Sequence, residues 1–406
     1  MSTTADALGV VTNPAGHCVV DHDVPWREPG RPKGMTRDSE IAVPRRGPGI
    51  GSWYRTIALA LASLALAQSA RAQTRWSTLD EFLSRGIRLN AQELAAIARG
   101  ETVAKMLPTA DTRDIAVFGA VQIDVPRSFF IDRQRDFPRA LRTPTRAQVQ
   151  IFSRPAALAD VQALDVTGDD LKELRSCRPG DCRFKLPATD MERVRSTIGS
   201  GSDARARVEA YMRQRLVEYV TDYRARGNDA MVTYDDRGTV RSSESLAAML
   251  SDSSYLLTTV PSLGHHLGDY PRSSLNGATE VIFWSRDELP HLRPVLRITH
   301  ATIYAPPERP DMTVLAAKQI YADHYFEAGL EVLAAVDRTP SAPPESGAIT
   351  LVAIRRYRFD HMPSGGLLNI RGRVANGLRD NVLADLRRLE RDSEAEWATK
   401  RGASQR

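Results

Sequence analysis

The sequence predicts an α+β fold in which a run of antiparallel strands is followed by a long C-terminal helix. The strands are indicated by five successive β-branched or aromatic runs between residues 281 and 359, separated by breaks rich in Pro or Gly. The helix is indicated by apolar residues that recur at helical spacing after Gly366, opposite a row of Arg. Its apolar positions are Leu367, Ile370, Val374, Leu378, Leu386 and Leu389. With 406 residues, 42% of them apolar and 26% charged, the chain has the composition of a globular protein.

The elements before the strand run follow in order along the chain. Asn90 begins a capping box, which predicts a short helix that ends near Gly100. The side-chain pattern of residues 115–125 alternates well enough to predict a first strand. The sequence of residues 127–137 predicts a short helix. Residues 160–268 indicate a helical insertion, whose clearest helix starts after Ser202 and presents an apolar core face.

The predicted domain organisation follows from these elements. We expect an N-terminal helical segment at 73–110 and a single α+β domain at 111–392, with the helical insertion at about 160–268. Residues 393–406 are expected to form a disordered tail.

Residues 1–72 have the pattern of an export signal preceded by an over-extended N-terminus. The apolar run 57–67 follows Arg45, Arg46 and Arg55 and precedes the small-x-small sequence at 70–72, which predicts a signal peptide cleaved before Gln73. The alternative is a retained anchor, but eleven helical residues span only about 16 Å of a roughly 30 Å bilayer core. We expect translation to start at Met35 and the mature protein to be periplasmic or secreted, without stable membrane insertion.

The charge balance argues against nucleic acid as a partner. The chain has 55 basic and 50 acidic residues, for a net charge of +5. Phosphate binding requires a concentration of positive charge that this balance lacks.

Cys177 and Cys182 flank a Pro-Gly turn in the segment CRPGDC. In an oxidising compartment this spacing predicts a disulfide that closes a small loop and contributes about 2 kcal/mol. Free thiols are the first alternative. A metal site is the second, but zinc needs about four ligands and no nearby His or Cys completes the set, so we predict no metal.

Two strand segments place polar and aromatic side chains where a plain core would be aliphatic. In RITHATIY the period of two puts His300 and Tyr304 on one face; in KQIYADHYF it separates His324 from Tyr321 and Tyr325. The ligand-binding candidates are His300, Tyr304, Tyr321, His324 and Tyr325. The alternative is that they are satisfied core groups or solvent-facing residues of the sheet.

The same alternation predicts that Asp323 and His324 point to opposite faces and cannot form a dyad. We expect His265 and His266 to be exposed in a loop between glycines. No HExxH, P-loop or dinucleotide fingerprint is present, so the sequence predicts neither a catalytic residue nor a cofactor.

The order of elements from about Ile115 to Glu390 resembles the helix-grip fold of START-like (SRPBCC) proteins. That resemblance implies a curved antiparallel sheet wrapped around the last helix, with an apolar cavity for a lipid or another hydrophobic ligand between them. The helical insertion departs from a minimal helix-grip domain. The strings CRPGDC and KQIYADHYF are also similar to those of exported bacterial proteins without an assigned activity.

The function expected from the sequence is therefore binding of a hydrophobic small molecule or lipid by an exported soluble protein, without catalysis. One alternative is a hydrolase or cyclase of the same fold that uses His300 or His324 as a base. The other is an envelope protein-interaction module whose helical block docks a partner. No oligomeric state is predicted.

Overall fold

The computed structural model describes residues 76, 78–146, 148–199, 201–288, 292–339, 347–360 and 369–404, together with 11–12 and 18–19. The chain divides into two compact units, Met1–Arg71 and Ala72–Arg406. In the first unit, two short strands, Val11–Thr12 and Cys18–Val19, pair antiparallel. The predicted signal peptide, the start at Met35 and the cleavage before Gln73 lie outside the described residues.

The second unit is built on an open sheet of eight strands, each antiparallel to its neighbours. The strands of the unit are β1 Val103–Leu107, β2 Asp114–Ile123, β3 Gln148–Ile151, β4 Thr233–Tyr234, β5 Val240–Arg241, β6 Thr279–Asp287, β7 Val295–Tyr304, β8 Met312–Ala322, β9 Phe326–Asp337 and β10 Ile349–Phe359. The large sheet has the order β1-β2-β10-β9-β8-β7-β6-β3, and β4 and β5 form a separate ribbon. The predicted meander is thus β6 to β10, and β1 and β2 extend it at one edge.

Eleven α-helices are assigned in the described part of the second unit. They are α1 Leu79–Glu81, α2 Ala91–Ala98, α3 Arg127–Arg135, α4 Phe137–Ala140, α5 Gly168–Ser176, α6 Ala188–Ile198, α7 Ala204–Arg226, α8 Ser242–Ser251, α9 Ser254–Thr259, α10 Pro261–Asp269 and α11 Ile370–Ser404. The fold is α+β with a large antiparallel sheet and a long C-terminal helix, as predicted. The segment expected to be helical before residue 110 also contains β1, which pairs with β2 and so belongs to the sheet.

Helices pack on both faces of the sheet. On one face, α3, α4 and α11 pack on apolar residues such as Val117 and Val121 of β2. On the other face, the helical insertion packs on the alternate positions, such as Phe118 and Ala120. Because both faces of β2 are buried, its sequence is a nearly continuous apolar run and not a simple alternation.

The disulfide-loop region forms a small core of its own within the helical insertion. Cys177 and Cys182 lie at disulfide-bonding distance, as the predicted bond requires. Their side chains are buried with Phe184, Leu174 and Met191. The predicted loop therefore joins α5 to the segment that leads into α6.

The C-terminal helix packs on the edge of the sheet and continues further than expected. Its buried residues Val374, Leu378 and Leu386 share one core with residues of β7 to β10, but its closest packing is on β1 and β2. The sequence predicts a disordered tail from residue 393. The structure instead continues the helix to Ser404, because Ser393 is fully buried and Trp397 packs on Phe129 of α3.

Within the described residues, none of the helices is both long enough and apolar enough to span a bilayer.

Candidate ligand-binding cleft

A cleft of about 190 Å³ lies on the face of the sheet that carries α11. One wall is α11, which contributes Leu378, Val382 and Leu386. The opposite wall is α4 and the residue after it, which contribute Phe137 and Leu141. The sheet forms the floor.

The floor of the cleft is apolar surface that the helices leave partly uncovered. Leu315 and Ala317 of β8 and Leu333 of β9 line it and are only partly buried, although they lie in central strands. Since α11 packs chiefly on β1 and β2, it does not cover these strands fully. The result is a concave apolar surface between the two walls.

A chain of ion pairs crosses the same cleft from β6 to β9. Arg146 Nε lies 3.1 Å from Asp287 Oδ1, and Asp287 also pairs with Arg297 of β7. Arg297 Nη2 in turn lies 3.2 Å from Glu331 Oε1 of β9. The side chains of Asp287 and Arg297 are almost completely buried, so the pair is held in a region of low polarity.

The ion-pair chain continues from β9 through β10 to the C-terminal helix. Glu331 lies 3.6 Å from Arg355 of β10 and accepts a hydrogen bond of 2.7 Å from the hydroxyl of Tyr357. Arg355 Nη2 then donates to Asp385 of α11 over 2.6 Å. Charged side chains thus join the sheet to the helix that walls the cleft.

Two carboxylates of this ion-pair chain, those of Glu331 and Asp287, are ionised at neutral pH. Burial alone would raise the pKa of Glu331, but Arg355, Arg297 and Arg146 outweigh that effect and hold its pKa at about 2. Burial likewise opposes ionisation of Asp287, but Arg146 and Arg297 keep its pKa below the usual range. Arg355 and Arg146 keep 23% and 17% of their side chains exposed, so they can also donate to a bound molecule.

Three of the five predicted ligand-binding candidates lie on the other face of the sheet. His300, Tyr304 and Tyr321 are buried beneath the helical insertion, away from the cleft. The register of β8 shifts between Gln319 and Tyr321, which places Tyr321 opposite Ile298 of β7 and on the same face as His300. The strict alternation assumed from the sequence is wrong at this point because the strand contains a bulge.

The other two candidates, His324 and Tyr325, lie in the turn between β8 and β9. The strand ends at Ala322, and Tyr325 has a positive φ of 62°, so the alternation of faces stops before Asp323. His324 Nδ1 consequently lies 3.0 Å from Asp323 Oδ1. The prediction that the two side chains point to opposite faces of one strand is wrong, because both residues lie beyond its end.

His300 belongs to a buried polar cluster that the sequence did not reveal. His266 Nε2 and His300 Nε2 lie 2.8 and 3.3 Å from the same oxygen, Oε1 of Glu280. His265 is exposed as expected, but His266 is buried, because both lie in α10 and consecutive helical residues face different directions. Burial lowers the pKa of His300 to about 4 and that of nearby Lys318 to about 7.

Sequence reasoning also missed the charged residues of the cleft. Strand segments that are otherwise mostly apolar contain the three charged residues Arg297, Glu331 and Arg355. A charge at a position predicted to be buried is the signal that identifies a paired or functional group.

The comparisons with known proteins return no relationship: no family model, no curated protein and no solved structure matches this chain.

Proposed function

We propose that the cleft binds a small amphipathic molecule, whose apolar part lies on the floor of β8 and β9 and whose polar part contacts the ion-pair chain. The observation that carries this proposal is the partly uncovered apolar surface of Leu315, Ala317 and Leu333 in the middle of a sheet whose other face is packed. Exposed apolar surface of this kind is typical of binding sites.

The size of the cleft restricts the class of ligand. The volume of the cleft is about 190 Å³. Drug-sized ligands occupy pockets of roughly 300–1,000 Å³. A short acyl chain or a single aromatic ring with a polar substituent fits this space, and a two-chain lipid does not.

The ion-pair chain supports a polar end on the ligand. A purely apolar molecule over Arg355 and Arg146 would remove water from charged groups without replacing its hydrogen bonds, which is costly. A carboxylate or hydroxyl can accept hydrogen bonds from either guanidinium while its chain covers the floor.

The proposal includes a helix-grip arrangement and an extracytoplasmic location. The open antiparallel sheet, the long terminal helix and the cleft between them support the first. The Cys177–Cys182 pair supports a periplasmic or secreted protein, because disulfides persist in oxidising compartments.

The hydrolase or cyclase alternative needs a base at the cleft. Its two candidates, His300 and His324, do not line it, so we do not propose catalysis.

The proposal can be tested by calorimetric titration with octanoate. Ala317 lies on the cleft floor, so Ala317→Phe should fill the space and weaken octanoate binding at least about tenfold. Octanol and octylammonium, titrated in parallel, separate the contribution of the chain from that of the head group. The matched control is Ala248→Phe, which places the same ring on an exposed position of α8 outside the cleft.

Equal octanoate affinity in the wild type, Ala317→Phe and Ala248→Phe would contradict the proposal. Absence of octanoate binding to the wild type, with no small amphipathic molecule detected by mass spectrometry in protein isolated from its native compartment, would also contradict it.

A further inference from the structure

We propose that His266, Glu280 and His300 form a site for one Zn²⁺ ion, on the opposite face of the sheet from the cleft. Two imidazole nitrogens and a carboxylate oxygen are a common zinc ligand set, completed by a water molecule or a fourth side chain. The ligand atoms of the three residues all lie within 4.8 Å of one another. This site is independent of the proposed ligand cleft.

The backbone brings the three side chains together from separate elements. His300 lies opposite Ile282 and Glu280 opposite Thr302, so Glu280 and His300 are diagonal neighbours on one face of β6 and β7. His266 reaches the same point from α10. Two ligand atoms bound to one tetrahedral zinc ion at about 2.1 Å lie roughly 3.4 Å apart. The distances of 2.8 and 3.3 Å from the two nitrogens to Glu280 Oε1 are near that value.

The three converging atoms are buried and lack hydrogen-bond partners. His266 Nε2, His300 Nε2 and Glu280 Oε1 are each inaccessible to solvent, and the nitrogens lie within ion-pair distance of the oxygen without hydrogen-bond geometry. The oxygen therefore lies off the direction in which either ring N–H bond would point. Unpaired buried polar atoms are costly, and a cation between them would satisfy all three.

The hydrogen bond on the far side of His266 fixes which nitrogen faces the site. His266 Nδ1 lies 2.7 Å from the carbonyl oxygen of Ser273, which can only accept, so Nδ1 carries the proton. In the neutral ring, Nε2 then presents a lone pair toward the Glu280 carboxylate. Two acceptors at 2.8 Å repel each other unless a proton or a metal ion lies between them.

The outer contacts of the cluster resemble those that orient zinc ligands. Histidine ligands usually donate their second N–H to a carbonyl or another oxygen, as His266 does to Ser273. His300 Nδ1 lies 3.0 Å from the hydroxyl of Tyr223. Glu280 keeps 23% of its side chain exposed, so the cluster lies close to the protein surface.

The positive charge of Lys318 lies near the three proposed ligands and opposes the binding of a divalent cation. Its ammonium donates to Asn228 Oδ1 over 2.8 Å and to the carbonyl of Leu267 over 3.2 Å. It also lies 5.4 and 5.3 Å from the ring centres of Tyr223 and Tyr270. Zinc must therefore be held by direct ligation and not by a general negative field.

Zinc binding is tested with chain purified without a histidine tag, stripped with a chelator and titrated with Zn²⁺ and, separately, Co²⁺. We expect one equivalent of Zn²⁺ and the visible absorption bands of four-coordinate Co²⁺. Glu280→Gln and His300→Gln should each weaken Zn²⁺ binding about 100-fold or more, because each removes one of three ligands. Glu280→Gln keeps the shape of the side chain, so its thermal melt without metal should show a folded protein.

The matched control is His265→Ala, which removes the adjacent but exposed imidazole of α10. It should bind one equivalent of Zn²⁺ with wild-type affinity. The proposal is overturned if the wild type binds no Zn²⁺, or if folded Glu280→Gln binds it as tightly as the wild type. Loss of the bound equivalent in His265→Ala would also overturn it, since the ion would then be on the surface.

Discussion

Gly119 of β2 lies directly beneath Val382 of α11, and no side chain can be accommodated between them. A Cβ atom at Gly119 would lie 2.5 Å from Val382 Cγ1 and 2.7 Å from Leu386 Cδ1. Both distances are well inside van der Waals contact. The absence of a side chain at residue 119 therefore sets how closely the C-terminal helix approaches the sheet, and with it the position of the cleft wall.

The first prediction is that Gly119→Ala destabilises the protein and moves α11 away from β2. Overpacking a dense interior costs about 1–3 kcal/mol, and chemical denaturation should show a loss in that range. Gly168→Ala is the control, because Gly168 has no neighbouring atom within 4 Å of an added Cβ. If the two variants were equally stable, the contact between Gly119 and α11 would not be tight.

The order of elements was predictable from the sequence, but the layering was not. Five apolar runs between turns define β6 to β10, and the stripe through Val374 and Leu378 defines α11. The sequence does not say that the helix packs at Gly119, since a glycine in a strand pattern also fits a bulge or a bend. It also does not reveal that β1 joins the sheet, because a five-residue edge strand has too few positions for a clear period.

The candidate sites were less predictable than the fold because they depend on long-range pairing. His300 is unusual in its strand, but its partner His266 comes from a helix and its partner Glu280 from a neighbouring strand. The bulge at Ile320 and the turn after Ala322 shifted the expected faces of Tyr321 and His324. The alternation rule holds only while the strand remains regular.

The second prediction tests whether space lies beside α11. Leu378 is 3% exposed and lines the cleft, so Leu378→Ala should cost about 2–5 kcal/mol. Leu378→Phe should cost less, because the added ring can enter the cleft. Thermal and denaturant unfolding of the two variants measure the difference.

The control for Leu378→Phe is Leu174→Phe in the small core around the disulfide. Leu174 is fully buried and does not line the cleft beside α11. Its replacement should be clearly destabilising. Equal damage from Leu378→Phe and Leu378→Ala would show that the interior beside α11 is filled.

The third prediction concerns the Cys177–Cys182 pair. Alkylation of denatured, unreduced protein followed by peptide mapping should find neither cysteine modified. The double substitution to Ala should lower the free energy of unfolding by about 2 kcal/mol, because the bond closes only a short loop. The stability of that variant should not change on addition of a reductant, whereas that of the wild type should fall. Two alkylated cysteines in the unreduced wild type would disprove the bond.

The fourth prediction is that His324 stabilises the fold below neutral pH and that this contribution is lost in alkaline solution. Burial opposes its charged form, but Asp323, Asp170 and Glu173 outweigh burial and raise the pKa of His324 to about 9. Arg293, which lies 2.9 Å from Glu173, is the neighbouring positive charge. The stabilisation should therefore be fully present below about pH 6.5, where the unfolded histidine is also protonated.

As the pH rises from about 6.5 to 9, the folded protein keeps a proton that the unfolded chain has lost, so the His324 contribution falls. Lys318 acts in the opposite sense. Burial lowers its pKa to about 7, so the unfolded chain binds more protons between pH 7 and about 10.5 and stability rises there. The total curve can consequently be flat even if both groups titrate as expected.

The measurement that isolates His324 is the difference in unfolding free energy between the wild type and His324→Gln, determined by denaturant titration from pH 5.5 to 9.5. Lys318 is common to both proteins and cancels in the difference. The wild type should be more stable by up to roughly 3 kcal/mol at the acidic end, and this advantage should shrink steadily toward pH 9. A difference independent of pH would mean that His324 does not hold a proton among Asp323, Asp170 and Glu173.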